Sequence, residues 1–511
     1  MNRGIHGQNG FPLVAALVGV ACTAAQAQPI RPESLLLNLH REIQQQLAQD
    51  RLMLLWDLAI AATGVDPALS AEWSLEMYDL ATNAPHGLPW QQMNQLPERK
   101  NALTVLSLTD PESAARHFLE LERGANAQPN EDPRIDCARN LFPRLWAKEG
   151  KQAMTAILRM ADFTSRTGQY PYIGIGHILP SLGKVDPAAA HSLFLAAVHR
   201  LAEERGIWRT PDDYLQFLRE SWPTVSREAR RIAVEAALNM VHRGVEDKAA
   251  AMPGSRQYFE YYLAKGTVRF DSEETARVYD LLPFADDIDA SWGRRLRQQY
   301  PALANVPLPR MDVRPWRSGV FAAAGHDTPE RVEAAFERHH LIFLAEWSRE
   351  DPVCAATIAR RTKDPARRRA AIALVLPAYA KADSVRAEAW RRELMTGGFS
   401  ARTSDDLTFL VALARVHFAL GHPEDGRQVT GAALALGEQL AGKRDRSRPV
   451  YAAEGAAGLH DLADLYGEFQ PNGLAPFVER LKEQEPPLRL YLLAGAVRGA
   501  MRHQPGYREP S

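Results

Sequence analysis

The chain has 511 residues, 46 % of them hydrophobic and 24 % charged, with a formal net charge of −1. That length exceeds one ordinary core and supplies two or three domains or one long repeat array. The near-neutral charge gives no bulk pull toward nucleic acid or an anionic membrane surface, and three cysteines are too few for a disulfide scaffold.

The first residues read as a secretory signal over 1–27: Arg3, an apolar run over 11–24, and Ala25-Gln26-Ala27 as the cleavage triplet. The run is too short for a comfortable membrane span, and no later segment is long enough. The expectation is soluble export to the periplasm or beyond the cell. A lipoprotein processed at Cys22 is the weaker alternative, because Gly19 sits where a larger aliphatic residue is usual. Loss of Cys22 leaves Cys137 and Cys354, which are read as two buried free thiols.

Asp-Pro then recurs six times, at Asp66, Asp110, Asp132, Asp186, Asp351 and Asp364. About two would be expected from composition. An Asp side chain caps the free N–H groups of a starting helix, and Pro at the first helical position loses no hydrogen bond. Each pair therefore predicts a helix start. A small residue follows three or four positions after the Pro (Ala71, Ala114, Ala190, Ala355). In the first three copies an aromatic follows at six or seven (Trp73, Phe118, Phe194). Those spacings share one helical face, so antiparallel helix pairs are expected over 28–300. Segment 124–133 reads as a loop between pairs. Residues 301–327, with Pro301, Pro307, Pro309 and Pro315, read as a joint that excludes regular helix. A second array is expected over 328–502 and a disordered tail over 503–511. "GTVRF" (266–270) is the single fragment with a strand signal.

In the second array, "LARVHFALGHPEDGRQVTGAALAL" (413–436) resembles a tetratricopeptide repeat. Leu413, Ala414 and His417 stand at that family's Leu, small and aromatic positions. Gly421 matches its turn glycine, Gly426 its small second-helix residue, and Ala433-Leu434 its closing pair. The stretch 462–481 is similar in a more degraded form. The resemblance implies an all-α fold, a right-handed solenoid of helix pairs in two arrays, and a protein- or peptide-binding role.

Two segments are candidate partner-binding surfaces. Arg360, Arg361, Arg367, Arg368 and Arg369 flank Asp364-Pro365. The first two suit the end of a helix, whereas the other three occupy a first turn where cations are mildly unfavourable. The cluster reads first as a solvated turn and second as a patch for an acidic partner. Tyr258, Tyr261 and Tyr262, with Phe259 between them, form the densest aromatic stretch. Packing between repeats is the leading reading there and a recognition surface the second.

The chain carries no HExxH, CxxC, Walker or GxSxG pattern. Gly174 and Gly176 lack a third glycine. His191 and His199, and His339-His340 with Glu346, lack the spacing that brings two imidazoles to one metal. Asp286, Asp287 and Asp289 read as acids that open a helix, where the dipole favours them, and Glu220-Ser221 lacks the segment that follows the catalytic Glu of lysozyme-like domains. Catalytic residues stay unassigned, and no cofactor or metal is expected. The leading expectation is a non-enzymatic scaffold for an envelope or secreted protein or peptide. The alternative is a lyase or hydrolase acting on carbohydrate from an α/α toroid.

Overall fold

A computed structural model describes residues 31–83, 89–122, 132–167, 169–203, 210–251, 254–263, 266–309, 311, 316–322, 328–396, 402–442, 450–471 and 474–510. The signal segment 1–27 and most of the loop at 124–133 lie outside the described residues. Among the described residues the chain is mostly α, 79 % helical with 22 helices, and has a small three-stranded antiparallel sheet.

The elements up to the sheet are α1 (Pro32–Ile43), α2 (Ala48–Ala62), α3 (Pro67–Asn83), α4 (Pro89–Thr109), α5 (Pro111–Phe118), α6 (Pro133–Glu149), α7 (Met154–Thr167), α8 (Tyr172–Val185), α9 (Pro187–Glu203), α10 (Thr210–Ser221) and α11 (Arg227–Ala251). The hairpin β1 (Arg256–Leu263) and β2 (Gly266–Phe270) leads to α12 (Glu273–Ile288) and α13 (Ala290–Gln299), and β3 (Arg317–Ala322) follows. The remainder is α14 (Pro329–Glu350), α15 (Pro352–Arg361), α16 (Pro365–Tyr379), α17 (Ser384–Thr396), α18 (Ser404–Ala419), α19 (Pro423–Ala441), α20 (Ala456–Phe469), α21 (Leu474–Arg480) and α22 (Pro486–Met501).

All six Asp-Pro pairs start helices: α3, α5, α6, α9, α15 and α16. In each, the Asp side chain accepts a first-turn backbone N–H, from Ala68, Ser113, Arg134, Ala189, Cys354 and Arg367 in turn. Capping satisfies donors that the helix itself leaves open. Trp73, Phe118 and Phe194 are fully buried on the faces their spacing implied.

Consecutive helices pack as pairs, among them α2 with α3, α8 with α9, and α18 with α19. The even-numbered helices also touch one another in succession, from α2 through α12 and from α14 through α22. Between α12 and α14 stands the sheet, with β1 against α12 and α15 and β3 against α14. Finally α22 packs on α1 and α2. The contacts therefore run in a closed circuit, lined by one large hydrophobic core.

The sheet corrects the all-α expectation. Its order is β2-β1-β3, with Phe259 opposite Phe270 and Gly319, and Tyr261 opposite Val268 and Arg317. "GTVRF" is indeed a strand, but the aromatic stretch beside it is the central one. Alternate residues of β1 point to opposite faces. Tyr261 packs edge-on to Tyr279 of α12 on one face, and Tyr262 tilts against Trp347 of α14 on the other. Helices cover both faces, so consecutive aromatics are all accommodated and β-propensity prevails.

The described residues of 301–327 hold a short 3-10 turn (Pro301–Leu303) and β3, and no α-helix. Residues 503–510, expected as a disordered tail, are placed against α2 and α4. The Arg508 N–H donates to Thr63 Oγ1 at 3.0 Å, and its guanidinium donates to the Leu108 carbonyl at 2.7 Å. Cys137 and Cys354 are buried free thiols on α6 and α15. Among the described residues, no helix is long and apolar enough to cross a membrane.

Candidate functional site

The sheet gathers the chain's most unusual buried charges. Asp280 of α12 is 3 % exposed, and its Oδ2 lies 2.7 Å from Arg317 Nη1 at the start of β3. Arg317 also contacts Asp212 of α10, which accepts from Arg277 Nη1 at 2.5 Å. The guanidinium of Arg277 stands over the Phe259 ring and that of Arg317 over the Tyr261 ring. Among the described residues Asp280 Oδ1 has no hydrogen-bond donor. Burial pushes the Asp280 carboxyl up, to about 7, and the charges of Arg277 and Arg219 pull it back only in part. Burial likewise lowers Arg317, to about 10.

Beside Asp280 and Arg277, a small cavity is closed by Tyr214, Leu215, Met240 and Leu281. It has room for about one water molecule, enough to serve a lone carboxylate oxygen. Tyr261 donates to the Ala276 carbonyl at 2.9 Å, and burial raises its hydroxyl well above the ordinary phenol range. The ensemble can anchor β3 to α10 and α12.

Of the predicted aromatic surface, Tyr261 and Tyr262 are 1 % and 4 % exposed and serve as core. Tyr258 is half-buried against Val320 and Phe336. A partner therefore cannot reach Tyr261 or Tyr262 in this fold, because the helices on both faces of β1 cover them.

The arginines divide differently. Arg360 and Arg361 end α15 and are exposed, and Arg367, Arg368 and Arg369 sit half-buried in the first turn of α16. Arg360 pairs with Glu393 at 2.9 Å and lies over the Trp390 ring. Arg369 reaches the Leu394 carbonyl and lies over the Phe409 ring. Arg361 has no acidic partner among the described residues, and its Nη1 would stand 3.7 Å from a Cβ added at Gly266 in β2. Two segments chosen separately from the sequence thus meet at the sheet.

Other candidates resolve into structure. Gly174 and Gly176 lie in the interior of α8 against Ala138 and Phe217, where they permit close helix approach. Of the three acids expected to open a helix, Asp289 does so by capping α13, whereas Asp286 and Asp287 lie in the last turn of α12, where Asp286 pairs with Arg297 at 2.7 Å and Asp287 accepts from Trp222 Nε1 at 2.9 Å. Glu220 pairs with His177 at 2.9 Å. In the repeat-like stretch, α18 and α19 form a tight pair whose turn residue Gly421 has φ +79°, and Gly426 lies against the Phe418 ring.

The other concentration of buried charge joins the chain's two ends. Asp57 of α2, 2 % exposed, lies 2.7 Å from His460 Nε2 of α20 and accepts from Arg498 Nη1 of α22 at 2.6 Å. Arg498 and Arg502 both reach Asp464. Seven residues before Asp57 on the same face of α2, Asp50 accepts the Val450 N–H at 2.9 Å. His460 is pushed up: burial opposes its charge, but Asp57 outweighs it. Asp57 is held down by His460 and Arg498 against the same burial.

No local pattern announces Asp57, Asp280, Arg317 or His460. Each sits in a mostly apolar or Pro-rich segment, and its partner lies far away in sequence. The chain matches no family model, no curated protein and no solved structure.

Proposed function

We propose that this is an exported helical-repeat protein, a right-handed array of tetratricopeptide-like pairs, that serves as a scaffold for another envelope or secreted protein or peptide. The observation that carries this reading is where the perturbed charges go. The Asp57–His460–Arg498 and Asp280–Arg317–Asp212 groups each span distant elements and hold them together. Charges spent in this way build a rigid frame, and a rigid frame binds partners without an ordering cost. The step from frame to role is by analogy with other helical-repeat proteins.

The closed circuit favours a second reading, a carbohydrate-active enzyme on an α/α toroid, since α22 packs on α1 and α2. That reading needs two carboxylates facing one cleft. In-cell crosslinking of the tagged full chain, then purification and mass spectrometry, separates the two. One protein recovered near stoichiometrically supports the scaffold. Recovery of the chain alone, together with a thermal shift on adding neutral or anionic glycans, overturns it in favour of the toroid enzyme.

A further inference from the structure

The segment after α22 crosses the seam at which the circuit closes. It leaves α22 at Arg502 and turns at Gly506, whose φ of +90° is one that glycine adopts freely. Arg508 then reaches the ends of two other helices. Its N–H donates to Thr63 Oγ1, at the C-cap of α2, at 3.0 Å. Its guanidinium donates to the Leu108 carbonyl, in the last turn of α4, at 2.7 Å. The last carbonyls of a helix have no partner within it, so Arg508 supplies α4 with a donor from 400 positions away. Beside these contacts Tyr507 packs on the core, and a Cβ at Gly64 would stand 3.4 Å from those of Gln504 and Tyr507. Tyr507 and Arg502 both donate to Glu509 Oε1, at 2.6 and 3.0 Å, which folds the segment back onto the end of α22.

What holds the segment is local and light. His503, Gln504, Pro505, Gly506, Arg508 and Glu509 are exposed. Burial and the charge of Arg508 both lower the Arg144 guanidinium of α6, so the segment is seated against a like charge. Few buried side chains and exposed bonds mark an element that opens before the core does. The seam beneath it is apolar, since α22 is buried along almost its whole length.

We propose that residues 503–510 form a releasable latch, seated across α22, α2 and α4, that holds the circuit shut. With the latch off, α22 and α2 part more often, and the apolar faces between them become accessible. The device works in the same way whether the circuit serves as a scaffold or as an enzyme.

A chain ending at Arg502, which keeps its pairs with Asp464 and Glu468, tests this. Hydrogen exchange, divided by the intrinsic amide rate, shows α2, α4 and α22 opening about tenfold more often, the worth of one net hydrogen bond, while α14 and α16 are unchanged. A synthetic 503–510 peptide at millimolar concentration restores protection to the truncated chain. It leaves the intact chain unaffected, because the seat there is filled. Thr63→Val, which removes the acceptor of the Arg508 N–H, raises opening more in the intact chain than in the truncated one. Gly64→Phe fills the space of Gln504 and Tyr507, so the full chain then exchanges like the truncated one, and this variant carries the test where truncation prevents folding. Acceleration confined to the last turn of α22, or a Thr63→Val effect of equal size in both chains, overturns the latch. So does a peptide that protects both chains alike or protects neither.

Discussion

Replacing Asp57 by Asn removes one charge from the point where α2 meets α20 and α22. His460 and Arg498 would then face a neutral amide in a site where Asp57 is 2 % and His460 8 % exposed. Removing one partner of a buried, hydrogen-bonded ion pair costs about 3–5 kcal/mol, because the remaining charge stays desolvated. Arg498 retains Asp464, which places the expected loss toward the lower end. At 1.36 kcal/mol per decade, such a loss speeds local opening roughly a hundredfold or more. Hydrogen exchange on α1, α2 and α22 reads this directly, since these elements must separate for the circuit to open.

The pH dependence gives a second reading of the same pair. The folded pKa of His460 is raised, so its contribution is full below the unfolded value of about 6.5 and disappears as pH rises through the folded one. Asp57 is lowered, so its contribution is present above about 3.9 and is lost as pH falls through the folded value. The clasp is therefore strongest between about pH 4 and 6.5. Once exchange is divided by the intrinsic amide rate, which itself rises with pH, opening of the seam in the wild type becomes more frequent above that window, and in Asp57→Asn it does not. Exchange in α1 and α2 that is unchanged by the substitution, or a rise in opening with pH that both proteins share after correction for the intrinsic rate, refutes the assignment.

Two further substitutions test packing and burial. A Cβ at Gly499 would stand 1.9 Å from the Asp464 carbonyl oxygen, and one at Gly467 would stand 1.8 Å from that of Ala496; Gly499→Ala should cost about 1–3 kcal/mol by forcing α20 and α22 apart. Gly431 in α19 has nothing within 4 Å of its Cβ position, so Gly431→Ala should gain about 0.5–1 kcal/mol from helix propensity, and thermal melts of opposite sign check the pair. For Asp280 the folded pKa is raised to about 7, so the charged form is the costly one and its penalty grows as pH rises from about 4 to 7. Asp280→Asn, in which Arg317 keeps Asp212, should remove that part of the wild-type decline in melting temperature between pH 5 and 8.

What the sequence made legible was local. Asp-Pro caps act within one helical turn, so all six starts could be read from adjacent residues. The same holds for Gly421, whose left-handed turn residue sits between two apolar runs. The strand β1 was harder, because "RQYFEYYL" has no alternation, and the Pro253-Gly254 turn signal before it bounds a helix as readily as a strand. Alternation disappears when both faces of a strand are covered, and here α12 and α14 cover them. The clasp was beyond local reasoning altogether. Asp57 and His460 lie 403 positions apart, and only the closing of the circuit brings them together.

That closure changes what an end of the chain does. An open array of helix pairs needs a terminal unit with a polar outer face, because its last apolar face has no neighbour. Here α22 is buried along almost its whole length, between α20 on one side and α1 and α2 on the other. The last helix and the first helix supply each other's missing neighbour, so neither end needs a polar cap. The junction must nevertheless be specific, since an apolar face left open at both ends would as readily join a second copy of the chain. Buried ion pairs serve such register roles in other proteins because a mispaired charge costs more than a mispaired methyl group. Asp50 and Asp57, one above the other on α2, set that register against Val450 and His460. If they do so, the double variant Asp50→Leu/Asp57→Leu retains apolar adhesion but loses its single register. It should elute as a mixture of monomer and larger species on size-exclusion chromatography with light scattering, whereas the native chain gives one species. A variant that stays a single monomer, with unaltered exchange at the seam, would show that hydrophobic packing alone selects the closure.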